Sequence, residues 1–145
     1  MNLYISDTHF GHRNVINFDK RPFEDIEQMD QVLSALWNDR VQKDDDVWIL
    51  GDFCYRSHRA PEWYLRQLKG LYYAITPIAE WPHIHRGAYH LFGHIHNRMD
   101  DTYYFMKERQ RAYNAGCMIN NYAPASLREI IMNNMRFYET DAGRE

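Results

Sequence analysis

The sequence predicts an α/β layered fold. Short apolar runs that halt abruptly at polar residues alternate with stretches whose apolar residues recur every three or four positions. That alternation of strand and helix patterns is the signature of the α/β class. At 145 residues the chain has room for one domain, residues 1–145, because two domains would each be left with a small core.

Taken in order, Leu3-Tyr4-Ile5 is a buried strand that stops at Ser6-Asp7. Residues Glu24 to Val41 are helical, with Ile26, Met29, Val32, Leu33, Leu36 and Trp37 on one face. Asp25 or Glu24 suits the positive end of that helix. The run Lys43-Asp44-Asp45-Asp46 reads as a solvated turn, with a cation site as the lesser alternative. Val47 to Leu50 is a second strand, halting at Gly51-Asp52. A helix is expected from Pro61 to Leu68, with Pro61 at an allowed early position and Gly70 as its stop. Leu71 to Ile75 is strand-like, Tyr89 to Phe92 is a strand ending at Gly93-His94, and Arg111 to Ala115 is another candidate. Ser126 to Asn134 reads as the last helix, with Ser126 as N-cap and Glu129 three residues on, the capping-box pattern. The polar tail from Thr140 is expected to fray.

The net charge of −3 shows no basic footprint for nucleic acid or membrane at the level of the whole chain. Nor is there a basic stripe with interleaved aromatics. Two cysteines, Cys54 and Cys117, do not make a disulfide framework. The first residues lack a basic segment and a long apolar run, so no secretory signal is read there. No apolar run approaches a membrane span. A cytoplasmic location is the expectation.

Three strands end in metal-capable side chains: Asp7 and His9 after the first, Asp52 after the second, His94 and His96 after a later one. In α/β folds the loops at the carboxyl ends of strands carry the sites, so residues distant in sequence can converge. An Asp, His, Asp, His, His set suits a divalent transition metal bound through mixed oxygen and nitrogen donors. In Asp7-x-His9 and His94-x-His96 an extended backbone would put both side chains on one side.

Asp7-Thr8-His9, Gly51-Asp52 and Gly93-His94-Ile95-His96, in that order, resemble the calcineurin-like metallophosphoesterases. Further stretches are similar to small bacterial and phage members: Asp7 to His12 with Arg21-Pro22-Phe23, Trp48 to Phe53, and Pro77 to Asn97. The resemblance implies an α/β/β/α sandwich holding two divalent metals. It further implies a hydrolase that cuts a phosphomonoester or phosphodiester by attack of a metal-activated hydroxide on phosphorus. It assigns Asp7, His9 and His96 to the first metal, Asp52 to both, and His94 to the second, with Asp52 and His94 closest to the chemistry. The donor set suits Mn, Fe, Zn or Ni better than Mg. His12 fits the small-member motif and is a candidate for the substrate phosphate. Arg21 and Arg56, like Arg13, flank the motif loops and could neutralise phosphate oxygens.

Two family elements are missing. The Gly-Asn-His-Asp/Glu motif, with a ligand of the second metal and a leaving-group histidine, is absent; Asn97 and Asn114 lie in the wrong places. A further second-metal histidine, two positions before the Pro of the Pro77 segment, is replaced by Ile75. An internal deletion joining Gly70 to a point just short of Pro77 accounts for both. One tight metal and a weak or absent second are then expected, unless His83 or His85 swings in from what reads as a surface loop. The alternative to an impaired enzyme is a degenerate member that keeps one metal for structure or partner binding. The deletion should leave an exposed strand edge near Leu71 to Ile75, a template for self-association.

Overall fold

The computed structural model describes residues 1–74 and 88–142. It is a mixed α/β structure with two small parallel sheets. The elements run β1 (Asn2–Ile5), α1 (Arg13–Phe18), α2 (Ile26–Arg40), β2 (Asp46–Ile49), α3 (Pro61–Leu65), β3 (Leu71–Ala74), β4 (His90–Phe92), α4 (Asp101–Lys107), β5 (Ala112–Asn114) and α5 (Leu127–Ala142). The first sheet has the order β1-β2-β3 and the second pairs β4 with β5. Leu3 lies opposite Val47, and Val47 opposite Tyr72. Among the described residues β3 pairs only with β2. Ile75 and the segment with Pro77, His83 and His85 fall outside the described residues.

The alternation of side chains along β1 and β2 sorts them into two cores. Leu3, Ile5, Val47 and Ile49 pack with Met29, Leu33 and Trp37 of α2. Tyr4 and Trp48 point the other way, into a cluster with Leu91, Tyr113 and Ile130 of α5. The fourfold spacing of Met29, Leu33 and Trp37 is the buried stripe of α2, whereas Leu36 is left exposed. Asp25 caps this helix by accepting from the Gln28 N–H at 2.8 Å. The capping box of α5 forms as expected: Glu129 accepts from the Ser126 N–H at 2.7 Å and from its hydroxyl at 2.6 Å.

Several expectations are corrected. The Pro61 helix ends at Leu65, with Arg66 as its cap. Two short helices, α1 and α4, were not foreseen; at 6 and 7 residues they are too brief to show a period. The acidic run is a turn, but Asp45 is buried in it, accepting from the Gln42 N–H and the Met1 nitrogen. The last helix runs past Asn134 and Thr140 to Ala142. Asp141 is held there by Lys107 Nζ at 2.6 Å and by the hydroxyls of Tyr104 and Tyr103. No described helix is long and apolar enough to cross a membrane.

The two sheets are laced together at one end. The Ser6 N–H donates to Ala115 O and Ser6 O accepts from the Cys117 N–H, both at 2.8 Å. Ser6 directly follows β1, and residues 115–117 directly follow β5. The carboxyl ends of parallel strands from both sheets therefore meet beside Asp7.

Candidate metal centre

Asp7 is the joint of the site. Its carboxylate is fully buried and accepts from the Ser6 hydroxyl at 2.7 Å, the His94 N–H at 2.8 Å and the Asp52 N–H at 3.2 Å. One side chain thus ties the loops after β2 and β4 to the loop after β1. The closeness explains the glycines of two motifs. A Cβ at Gly51 would strike Ser6 Oγ and Asp7 Oδ1, and a Cβ at Gly93 would strike Ser6 Oγ and come within 2.8 Å of Asp7 Oδ2. Only glycine lets these backbones approach the carboxylate.

All five ligand candidates converge. Two triads have donor atoms within 4.8 Å of one another: Asp7, His9 and His96, and Asp7, Asp52 and His94. Asp7 belongs to both, a sharing that the resemblance assigns to Asp52. Asp52 nevertheless stands between them, its Oδ2 3.9 Å from His9 Nε2 and 3.7 Å from His94 Nδ1. The first triad is enclosed, with side chains of His9 and His96 only 6% and 16% exposed. The second opens to solvent, Asp52 and His94 being nearly half exposed. Cations of either triad would meet the mixed O/N shell that suits first-row transition metals.

The backbone differs from the expectation. Asp7, His9, His94 and His96 have φ of 55°, 54°, 66° and 53°, so neither Asp-x-His nor His-x-His is extended. Left-handed conformations at non-glycine residues are uncommon and concentrate at functional sites. Four of the five candidate ligands adopt them. Convergence here comes from local coiling after β1 and β4, not from strand alternation.

Sequence reasoning missed Asp19. Its carboxylate bonds His96 Nδ1 at 2.8 and 2.9 Å, which leaves Nε2 facing His9 Nε2 at 3.2 Å. A carboxylate behind a histidine fixes the ring and its tautomer and raises its basicity as a ligand. Asp19 is in turn paired with Arg21 at 2.9 Å. An acidic residue two before an arginine is too common to be a signal, so nothing in the sequence marked it. Asn114 was also missed as a brace: its Nδ2 donates to His96 O at 2.7 Å and its Oδ1 accepts from the Gly116 N–H. Asn97 donates to Asp19 O.

Arg21 is corrected as a substrate residue. Its side chain is fully buried and spent on Asp19, on Asp7 O and on Thr8 O, both carbonyls at 2.8 Å. It braces the first motif loop from behind and cannot reach a phosphate. His12 and Arg56 do lie near the centre. The His12 ring is 5.4 Å from that of His9, and the exposed Arg56 lies over Tyr55. His58 is exposed, and His90 stacks on Phe92 within β4.

Burial pushes the His9 pKa down to about 4, with His96 and Arg21 adding to the shift, so its ring is neutral at pH 7. Burial, then Arg21 and Arg56, also lowers that of His12. Burial opposes ionisation of Asp19, but the His96 hydrogen bond and the charges of His96 and Arg21 outweigh it and hold the carboxyl below its ordinary range. Burial raises the Cys117 thiol to about 12; it bonds Asp7 O at 3.2 Å and is a packing residue, not a ligand.

No family model matches the chain. It is 28% identical over 155 residues to an uncharacterized protein of Methanocaldococcus jannaschii, an alignment taking in 88% of this chain and 87% of that one. It is 41% identical over 49 residues to the gene 66 protein of Mycobacterium phage L5, which covers 34% of this chain and 23% of the phage protein. The crystal structure of a protein of unknown function from Aquifex aeolicus superposes with a TM-score of 0.67 at 20% identity, over 91% of this chain and 98% of that one. At that identity the likeness shows a common fold.

Proposed function

We propose that the chain is a metal-dependent phosphoesterase of the calcineurin-like metallophosphoesterase type, its α/β/β/α plan shortened by an internal deletion, acting on a phosphomonoester or phosphodiester. The observation that carries this reading is the pair of donor triads sharing Asp7, assembled from the three motifs on which the resemblance rests. A bound divalent ion would supply Lewis acidity towards a phosphate oxygen and a water of lowered pKa.

The chain's own groups suit that role. Asp7, His9 and His96, with Asp52 beside them, form the tighter nest, in which neutral His9 and the Asp19-bonded His96 offer nitrogen lone pairs. Asp52 and His94 line the open mouth, where an incoming phosphate would arrive. Asn97 and Asn114 are committed to hydrogen bonds that hold the loops. Among the described residues, therefore, neither replaces the missing asparagine of the family motif. That absence favours slow turnover and keeps a second reading in view, a non-catalytic member that retains one metal for structure or partner binding.

Metal analysis of protein purified without chelator, with hydrolysis of an aryl phosphate and an aryl phosphodiester in added Mn, tests the proposal. The expected result is close to one tight ion per chain, weak binding of a second, and slow hydrolysis that Asp52→Asn abolishes. Loss of a stabilising group at the leaving oxygen typically costs on the order of a hundredfold or more in rate. One ion with no turnover would favour the second reading. No tightly bound metal would overturn both.

A further inference from the structure

The rim of the centre carries aromatic rings that no ligand role explains. Tyr55 and Phe18 flank His12, their ring centroids 4.9 and 6.2 Å from it in edge-to-face arrangement. Tyr55 also lies 6.3 Å from His9. Both are open to solvent, Phe18 at 71% and Tyr55 at 43%. Single exposed aromatics are ordinary, but two gathered around a histidine beside a metal-capable nest are not accounted for by packing. Phe18 also walls a cavity of about 350 Å³ with Asp19, Lys20, Asn97 and Arg98, at the small end of ligand cavities. Asp19 is at once a wall of this cavity and the partner of His96. Arg56 lies 5.3 Å from the Tyr55 centroid, and Lys20 and Arg98 line the cavity together with Asp100, which pairs with Arg98 at 3.9 Å.

We propose that this rim seats a planar ring of the phosphoester, an aryl group or nucleobase, against Phe18 and Tyr55 while its phosphate meets the metal-capable nest. This rests on the phosphoesterase reading and narrows its substrate class. Flat rings stack on exposed aromatic faces with little regard to ring identity. Arg56 and Lys20 complement the negative charge of a phosphate attached to such a ring. An aliphatic or sugar phosphate would use the nest and leave both rings bare.

Titration calorimetry on the Mn-loaded protein with AMP, phenyl phosphate, ribose 5-phosphate and inorganic phosphate tests the proposal without requiring turnover. The ring-bearing probes should bind about fivefold or more tightly than ribose 5-phosphate, the lower end of a stacking contact. Phe18→Ala and Tyr55→Ala should each reduce that preference, and Tyr55→Phe should keep it. Phe18 is largely exposed and Tyr55 nearly half exposed, so the melting temperatures of these variants report whether the fold is intact. A preference for AMP over phenyl phosphate assigns the seat to a nucleobase, and the reverse assigns it to a simple aryl group; either supports the proposal. Equal affinity for ringed and ringless probes, or a preference that survives both alanine substitutions, overturns the ring seat and leaves the phosphoesterase reading standing. Failure of every phosphate probe to bind overturns both.

Discussion

Replacing Asp19 with asparagine should separate the brace behind the centre from the donors in front of it. The substitution keeps the side-chain shape and deletes one negative charge. In the native chain that charge pairs with Arg21 at 2.9 Å, the two side chains being only 4% and 0% exposed. Removing one member of a buried pair costs about 3–5 kcal/mol, mostly because the other charge is left without compensation. Arg21 would still donate to the carbonyls of Asp7 and Thr8, so the lower end, about 3 kcal/mol, is expected. That is a large share of the roughly 5–15 kcal/mol by which domains are stable. The second effect is on the metal. Without the carboxylate, His96 Nδ1 loses its fixed acceptor and the ring is free to present the wrong tautomer, which typically weakens metal binding about 10–100-fold. Urea unfolding of the metal-free protein measures the first effect, and competition for Mn with a chromophoric chelator measures the second. Unchanged stability and unchanged metal affinity would refute the role given to Asp19. Lost stability with native affinity would show that it serves Arg21 alone.

Gly93→Ala should destabilise the metal-free protein by about 1–3 kcal/mol through overpacking. Its Cβ would meet Ser6 Cβ and Asp7 Oδ2 at 2.8 Å; a melting temperature within a degree of the native value would contradict this close approach. Acid should begin to weaken the fold above the range in which ordinary carboxylates protonate. The His9 pKa is about 4 in the folded chain against an ordinary 6.5. Between those values the unfolded chain takes up a proton that the folded chain refuses. The His9 contribution is therefore fully present above about pH 6.5 and is lost as pH falls towards 4. Urea midpoints at pH 7, 6 and 5 should decline, and His9→Asn should flatten the decline.

Three of the strands and the five ligand candidates were legible because those apolar runs ended in an informative side chain. Val47-Trp48-Ile49-Leu50 before Gly51-Asp52 is such a case. Long-range pairing was not legible. Asp19 and His96 are 77 positions apart and Asn114 and His96 are 18 apart; neither pair has a local pattern. Arg21 misled for a related reason. An arginine beside a phosphate motif looks like a phosphate ligand until the fold shows that the loop needs an internal donor for its own carbonyls. The left-handed turns at Asp7, His9, His94 and His96 were hidden as well, because Asp-x-His is equally compatible with extended chain. Sequence periodicity overlooked α1 and α4, which are shorter than the window in which a period can be recognised.

The left-handed backbone also dictates how ligand roles can be measured. Alanine at 9, 94 or 96 would remove a donor and also put a residue with no affinity for φ near +55° to +65° into that conformation. The steric cost of that backbone falls on any residue with a Cβ, histidine included, so alanine forfeits only histidine's several-fold preference for the region, about 1 kcal/mol or less. An alanine scan would consequently overstate every histidine's contribution to metal binding by an amount unrelated to coordination. Asparagine tolerates the same backbone region, so a histidine-to-asparagine series, corrected against glycine at the same positions, would report the donor atom itself. Position 52, whose φ is not positive, needs no such correction, and there Asp52→Asn and Asp52→Ala should differ only through what the side chain does.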